Sequence, residues 1–228
     1  IFARADDAAG QGGLPAGSRV ILSDLSVQVQ AHGSDPMPAD GPLVVVSNHP
    51  GAYDSVALAS CIPRSDLKII AYETQFYHAL PQISQRMILA PADPPGRMVA
   101  LRRALQHLQE GGAILQFGSG RIEPDPATAS GAEEWFDNWS SSLEVMLRKV
   151  PETRLVLAIV SGVLLRRFAG HPITRLRRGA INQRRLAEFT QVIYHLMRPR
   201  SLRVQVNLSF SPPFRLADLQ TALEGRHL

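Results

Sequence analysis

The stretch Leu43-Val-Val-Val-Ser-Asn-His-Pro-Gly-Ala-Tyr-Asp54 constrains the fold of this chain more than any other. Leu43 to Val46 is a short, unbroken, β-branched apolar run, the pattern of a strand buried on both faces. Pro50-Gly51 then forces a sharp turn. Ser55-Val-Ala-Leu-Ala-Ser-Cys-Ile62 reads as a helix, and Asp54 stands at its mouth, where Asp is a favoured N-cap. A histidine therefore lies at the carboxyl end of a strand, with an aspartate five positions on. In open α/β sheets, ligands bind at that edge. A carboxylate accepting from one imidazole nitrogen fixes the tautomer and leaves the other nitrogen free as a base toward a substrate hydroxyl. The bare spacing, taken alone, fits a turn histidine and a helix cap better than a catalytic pair. A metal pair fits less well, since no third His or Cys lies nearby at ligand spacing.

The rest of the chain repeats the strand–helix alternation. Residues 1–17 are Ala-, Gly- and Asp-rich and read as a loose arm. Residues 25–30 alternate apolar and polar, the mark of a half-buried strand. Buried strands are expected at 67–72, 87–90, 113–117 and 155–160. Asp93 opens a helix with Met98, Leu101, Leu105 and Leu108 on one face, ended by Gly111-Gly112. Ser130-Gly-Ala-Glu133 has the form of a capping box, starting a helix that carries Trp135, Trp139, Leu143, Met146 and Val150. That stripe suits packing on a sheet; the alternative is a membrane interface. Leu186, Phe189, Ile193 and Leu196 mark another amphipathic helix, 202–210 a last strand, and a short tail helix begins at Leu216. The expectation is one α/β domain over 18–228, with a mixed, mostly parallel sheet and helices on both faces. Strand order is not legible.

Composition narrows the function. A chain of 228 residues can bury one large core. The single Cys61 excludes an intrachain disulfide framework and reads as a small core residue. The net charge of +4 comes almost wholly from Arg, with Lys only at 68 and 149. That balance suits anionic substrates or lipid headgroups. No zinc-finger, RNA-recognition or helix-turn-helix signature accompanies it, so nucleic acid is not an expected partner. No run reaches the roughly 18 apolar residues of a membrane span.

Gly118-Ser119-Gly120 follows a strand at the same sheet edge as His49. It lacks the Gly two places before Ser that a hydrolase elbow needs, and the Lys-Ser/Thr ending of a phosphate loop. What remains is a turn whose backbone N–H groups, with Arg121 at the tip, make an anion site, or else a plain surface turn.

Taken whole, Asn48-His49-x4-Asp54 after an apolar strand resembles the first motif of the phospholipid/glycerol acyltransferase family, which includes glycerol-3-phosphate and lysophosphatidate acyltransferases. The resemblance runs in order and spacing over about 25–165. The family's third motif, Phe-Pro-Glu-Gly-Thr-Arg, corresponds to Phe117-Gly118-Ser119-Gly120-Arg121, with the Pro and Glu absent and the Arg one place early. Its second motif corresponds to 88–93 without the usual Arg, for which Arg97 is the nearest replacement. Its fourth, a Val-Pro-Val-like strand, corresponds to Ala158-Ile-Val-Ser161 without the Pro.

The resemblance implies an O-acyltransferase that takes acyl-CoA or acyl-carrier protein as donor, uses no metal or cofactor, and acylates a glycerolipid or lysophospholipid hydroxyl. His49 becomes the base and Asp54 its orienting partner. Asn48, Gly118, Ser119, Gly120 and Arg121 line the substrate site, with Lys68, Arg86 and Arg97 as further cations for an acceptor phosphate. Backbone N–H groups after His49 are the expected oxyanion donors. A lipid substrate and the absence of a spanning run imply a peripheral position on the cytoplasmic face of a membrane. Expected anchors are Arg166-Arg167-Phe168 and the arginines of 175–178. The alternatives are a catalytically degenerate lipid-binding member, favoured by the altered second and third motifs, and an esterase using water.

Overall fold

The fold is seen in a computed structural model that describes residues 1–51 and 53–218. In chain order, the first half comprises α1 (Phe2–Leu25), β1 (Gln28–His32), β2 (Leu43–Ser47), α2 (Asp54–Cys61), β3 (Lys68–Tyr72), α3 (Gln75–His78), α4 (Pro81–Ser84) and β4 (Met87–Ala90). The second half comprises α5 (Pro94–Gln109), β5 (Ala113–Phe117), α6 (Ser142–Lys149), β6 (Arg154–Ser161), α7 (Arg166–Ala169), α8 (Ala180–Met197) and β7 (Gln205–Phe210).

The described strands form one seven-stranded sheet in the order β1-β7-β6-β2-β5-β3-β4. Strands β6, β2, β5, β3 and β4 run parallel. β7 is antiparallel to β6 and carries β1 parallel to itself. β2 lies in the middle and every one of its residues is buried, as a strand covered on both faces must be. α1, α2 and α8 pack on one face, around Leu43, Val45, Leu58, Ile62, Leu115 and Val156. α5 and α6 cover the other, around Val44, Val46, Ala104, Leu108, Ile114 and Met146. The single α/β layer architecture, mostly parallel, is the one expected.

Four local expectations change. The supposed loose arm is helix α1, broken at Gly12–Gly13. Its two limbs lie antiparallel: Gly17 packs against the Ala5 carbonyl and Arg4 pairs with Asp24. Ala9 and Leu14 are buried, and the Asp6 carboxylate accepts the Ile83 N–H at 2.8 Å, so the segment belongs to the domain. The small residues that made it look featureless are what let the limbs approach so closely. The strand expected at 25–30 starts later, at Gln28, because α1 runs to Leu25. Ser130 does not cap a helix. A 3₁₀ turn, Glu133–Asn138, ends in extended backbone at Trp139, and α6 starts separately. Finally, Phe189 and Ile193 of α8 face outward, whereas Ala187, Glu188, Gln191 and His195 are buried. Residues 216–218 are helical as expected, and the rest of that tail helix lies outside the described residues.

A candidate acyl-transfer site at the carboxyl edge of the sheet

β2 ends at Ser47, and the next two residues take different directions. Asn48 stays in the sheet: its Nδ2 donates to the Val160 carbonyl at 2.9 Å and its Oδ1 accepts the Val160 N–H at 2.7 Å. The amide thereby continues the β2–β6 ladder one step after the main chain has left it. Asn48 was expected in substrate binding, but it is buried and its amide is spent on this brace.

His49 leaves the strand. Its ring stacks on Phe117, the last residue of β5, with centroids 4.2 Å apart. Its Nδ1 lies 2.7 Å from Asp54 Oδ2. A carboxylate can only accept, so Nδ1 carries the proton and Nε2 keeps its lone pair. The side chain is 26% exposed, and Asp54 is wholly buried. Asp54 also accepts the Gly51 N–H at 2.9 Å and the Ser55 N–H. It is the first helical residue of α2, not the cap: Tyr53 takes the cap position, which turns the carboxylate back to His49. Gly51 has φ 148°, in the region that favours glycine. The Gly51 N–H, expected among the oxyanion donors, is engaged by Asp54, and Pro50 has none.

Electrostatics tune the imidazole. Burial lowers its pKa, but the charge and hydrogen bond of Asp54, with smaller contributions from Glu188 and Glu123, more than offset this and hold it above the ordinary 6.5. Neither glutamate was anticipated from the sequence. Glu123 donates its own N–H to the His49 carbonyl at 2.7 Å, and its Oε1 accepts from Ser119 Oγ at 2.6 Å. Burial raises its pKa, partly offset by Ser119 and His49. Glu188 comes from α8 and lies against Gly51, where a Cβ would overlap its carboxyl. Burial, then the charge of Asp54, push its pKa up to about 8. The readable signal was a polar line at helical spacing, Glu188, Gln191 and His195, in a helix otherwise rich in apolar residues. Asp125 braces the same edge, accepting the Gly162 N–H at 2.9 Å and the Leu164 N–H at 3.0 Å.

The Gly118–Arg121 loop does meet this edge, but not as an open anion cradle. The Gly118 N–H donates to Ser47, the Gly120 N–H to Phe117, and the Arg121 N–H to Ser119 Oγ. Three of the donors expected for an anion therefore close the turn instead. The Trp139 ring covers Gly118, and a Cβ there would overlap it, so only glycine fits. Ser119 holds Glu123, and the Arg121 side chain is exposed at the tip.

The other cations lie elsewhere. Lys68 opens β3 in register with Ile114, itself paired with Val44. Five strand residues, roughly 16 Å, separate that level from His49. Lys68 instead lines a cavity of about 330 Å³ with Arg103, His107 and Glu110 at the amino edge, because parallel strands place every strand start on the same side. Arg86 is also structural, donating to the carbonyls of Ala9 and Ser65. Arg97 sits exposed in the first turn of α5, at the correct edge but beyond β4, three strands from β2 or roughly 14 Å. Among the described residues, no three His, Cys, Asp or Glu side chains are grouped so as to hold a metal ion.

Comparison with known proteins agrees with this geometry. No curated protein matches the chain. Among solved structures, the chain resembles the 1-acyl-sn-glycerophosphate (LPA) acyltransferase PlsC from Thermotoga maritima. The two share 16% identity and a TM-score of 0.54, over 93% of this chain and 74% of that one. At that identity the likeness is one of fold. The Acyltransferase family model matches residues 28–162, from β1 through the end of β6, and so takes in His49, Asp54 and the Gly118–Arg121 loop but not Glu188. Fold, motif and family match converge: the chain belongs to the acyltransferase family, the phospholipid/glycerol group that Asn48-His49-x4-Asp54 resembles.

Proposed function

We propose that the protein moves a fatty acyl group from acyl-CoA or acyl-carrier protein to a hydroxyl of a glycerolipid or lysophospholipid acceptor, with His49 as general base. One observation carries this reading: Asp54 binds Nδ1 of a partly exposed imidazole at 2.7 Å and leaves Nε2 free at the ligand-binding edge. Nε2 takes the proton of the acceptor hydroxyl as its oxygen attacks the thioester carbonyl. The tetrahedral adduct collapses, the C–S bond breaks, and the imidazolium returns the proton to the departing thiolate. Asp54 stabilises the imidazolium in between. General-base help of this kind is worth about 10²–10⁴-fold. No metal enters this chemistry.

The same reading places the protein peripherally, on the cytoplasmic face of a membrane. Among the described residues no helix is long and apolar enough to cross one. The support is the outer side of α8 and the 3₁₀ turn before it. Leu176 is 78% exposed between exposed Arg175 and Arg177, and Phe189 and Met197, 64% and 77% exposed, lie further along α8. Phe168, expected as an anchor, is instead buried in the core.

The test is incubation with labelled acyl-CoA or acyl-carrier protein and a panel of lysolipids, with products identified by mass. His49→Ala should lower transfer about 10²–10⁴-fold with unchanged circular dichroism. Since the base must be neutral, wild-type kcat/KM should rise with pH through a pKa above 6.5, and Asp54→Asn should move that limb to lower pH. Near wild-type turnover by His49→Ala would rule the mechanism out.

A further inference from the structure

Two carboxyl oxygens beside the dyad have no partner. Glu123 Oε2 and Glu188 Oε1 are buried and make no hydrogen bond, in residues only 2% and 8% exposed. Both are held in place. Glu123 is tied by its N–H to the His49 carbonyl and by Oε1 to Ser119. Glu188 is held on Gly51, inside the turn that joins His49 to Asp54. A buried acceptor without a donor is costly, and most native ones have a partner supplied by protein, water or ligand. Two of them flank the one imidazole poised as a base.

The charge around that imidazole is one-sided. The groups whose charge raises the His49 pKa are Asp54, Glu188 in its ionised form, and Glu123, all carboxyls. Of the cations expected here, Lys68 and Arg86 lie at the amino edge and Arg97 three strands away, while Arg121 is exposed at the tip of the loop that meets this edge. A phosphomonoester, with nearly two negative charges at neutral pH, would be desolvated here against Asp54 and Glu123, while the guanidinium whose charge reaches this cluster, Arg185, acts on Glu188. Hydroxyl groups meet the site differently, because each O–H supplies the donor that a bare carboxyl oxygen lacks.

We infer that the acceptor presents an uncharged polyol beside the hydroxyl that is acylated, and that its hydroxyls donate to Glu123 and Glu188. This rests on the acyltransferase reading above and specifies its substrate class. Glu188 suits the role further: below about pH 8 it carries a proton, and a neutral carboxyl both accepts from and donates to an alcohol.

The experiment compares two acceptors of identical acyl chain, 1-monoacylglycerol and 1-acylglycerol-3-phosphate, in the same detergent and with the same donor. The expected result is a kcat/KM at least about tenfold higher for monoacylglycerol. Loss of one such contact is worth about tenfold in an equilibrium constant, so Glu123→Gln and Glu188→Gln should each raise the KM for monoacylglycerol by roughly 5- to 50-fold. The donor KM should stay near wild type, which reports an intact fold together with circular dichroism. Preferred transfer to 1-acylglycerol-3-phosphate that depends on His49 would overturn this inference while keeping the acyltransferase reading. So would unchanged acceptor KM values in both variants. Transfer to neither acceptor, nor to any other lysolipid, would overturn both.

Discussion

Helices α5 and α8 are of similar length, and each lies on a face of the same sheet, yet α5 buries mostly apolar side chains and α8 mostly polar ones. α5 turns Ala100, Ala104 and Leu108 inward with His107 as its buried polar side chain, leaves Arg102, Arg103 and Gln106 in solvent together with Met98 and Val99, and starts at Asp93, whose carboxylate accepts the Gly96 N–H at 2.8 Å. It is an ordinary amphipathic helix. α8 buries Glu188, Gln191 and His195 and exposes Phe189, Ile193 and Met197. Its inner face grips the edge of the sheet that carries His49. Gln191 accepts the Leu165 N–H at 2.8 Å and donates to the Val163 carbonyl at 2.7 Å, while His195 Nδ1 meets the Tyr53 hydroxyl at 2.8 Å. Tyr53 immediately precedes Asp54. A helix that serves a core spends its buried face on apolar area, whereas one that serves a site spends it on directional contacts. The second kind pushes its apolar residues outward, which calls for a second apolar neighbour.

The largest effect that sharpens this contrast comes from pH. Glu188 keeps its proton to about pH 8 when folded, but only to near 4.5 as an ordinary carboxyl. Between those values the folded state binds the extra proton, so stability falls as pH rises, at about 1.4 kcal/mol per unit, reaching several kcal/mol in all. His49, raised above 6.5, acts in the same direction. Urea melts of wild type and Glu188→Gln between pH 5 and 8 should show the wild-type decline flattened in the variant. Parallel declines would mean that Glu188 is not the titrating group.

A somewhat smaller loss should follow Gln191→Leu. It makes the inner face of α8 resemble that of α5, but strands the Leu165 N–H and the Val163 carbonyl without partners. The expected cost is about 2–5 kcal/mol by denaturation. A neutral or stabilising outcome would break the distinction between the two helices.

The smallest effect on stability belongs to the outer face. Phe189→Ser with Met197→Ser should change stability by only about 0.5 kcal/mol or less per site. Binding to anionic vesicles should nevertheless weaken by at least tenfold, since a fully buried side chain of this size is worth about 1.5–3 kcal/mol. Arg102→Ser with Arg103→Ser on α5 should leave vesicle binding near wild type. Equal loss from both pairs would assign attachment to general positive charge.

The sequence carried the sheet well because buried parallel strands are written as apolar runs. β2, β4 and β5 fall where Leu43–Val46, Met87–Ala90 and Ala113–Phe117 placed them. The His49–Asp54 contact was legible because both residues sit in one turn, where sequence spacing nearly fixes geometry. Contacts made across the fold were not. Glu188 reaches Gly51 from a helix far along the chain, and periodicity in α8 shows that two faces exist without saying which one the sheet takes. Lys68 was misassigned for a related reason: a strand's two ends look alike in sequence but lie on opposite edges of the sheet. In α1, closely apposed limbs require small residues, and small residues in a row also describe a linker.

The pairing of β1 with β7 also has a consequence for how the chain is made. Among the described residues β1 is the first strand in the chain and β7 the last, and β7 is the one strand that β1 pairs with. At translation rates of about 5–20 residues per second, β1 waits roughly ten to thirty-odd seconds for its partner to exist. The five parallel strands and the turn holding His49 can assemble during that interval, with α1 seated on α2 and α4, while β1 stands without its strand partner. The nascent chain therefore passes through a stage in which the edge carrying His49 is built but β1 still lacks its partner, and emergence of β7 ends that stage.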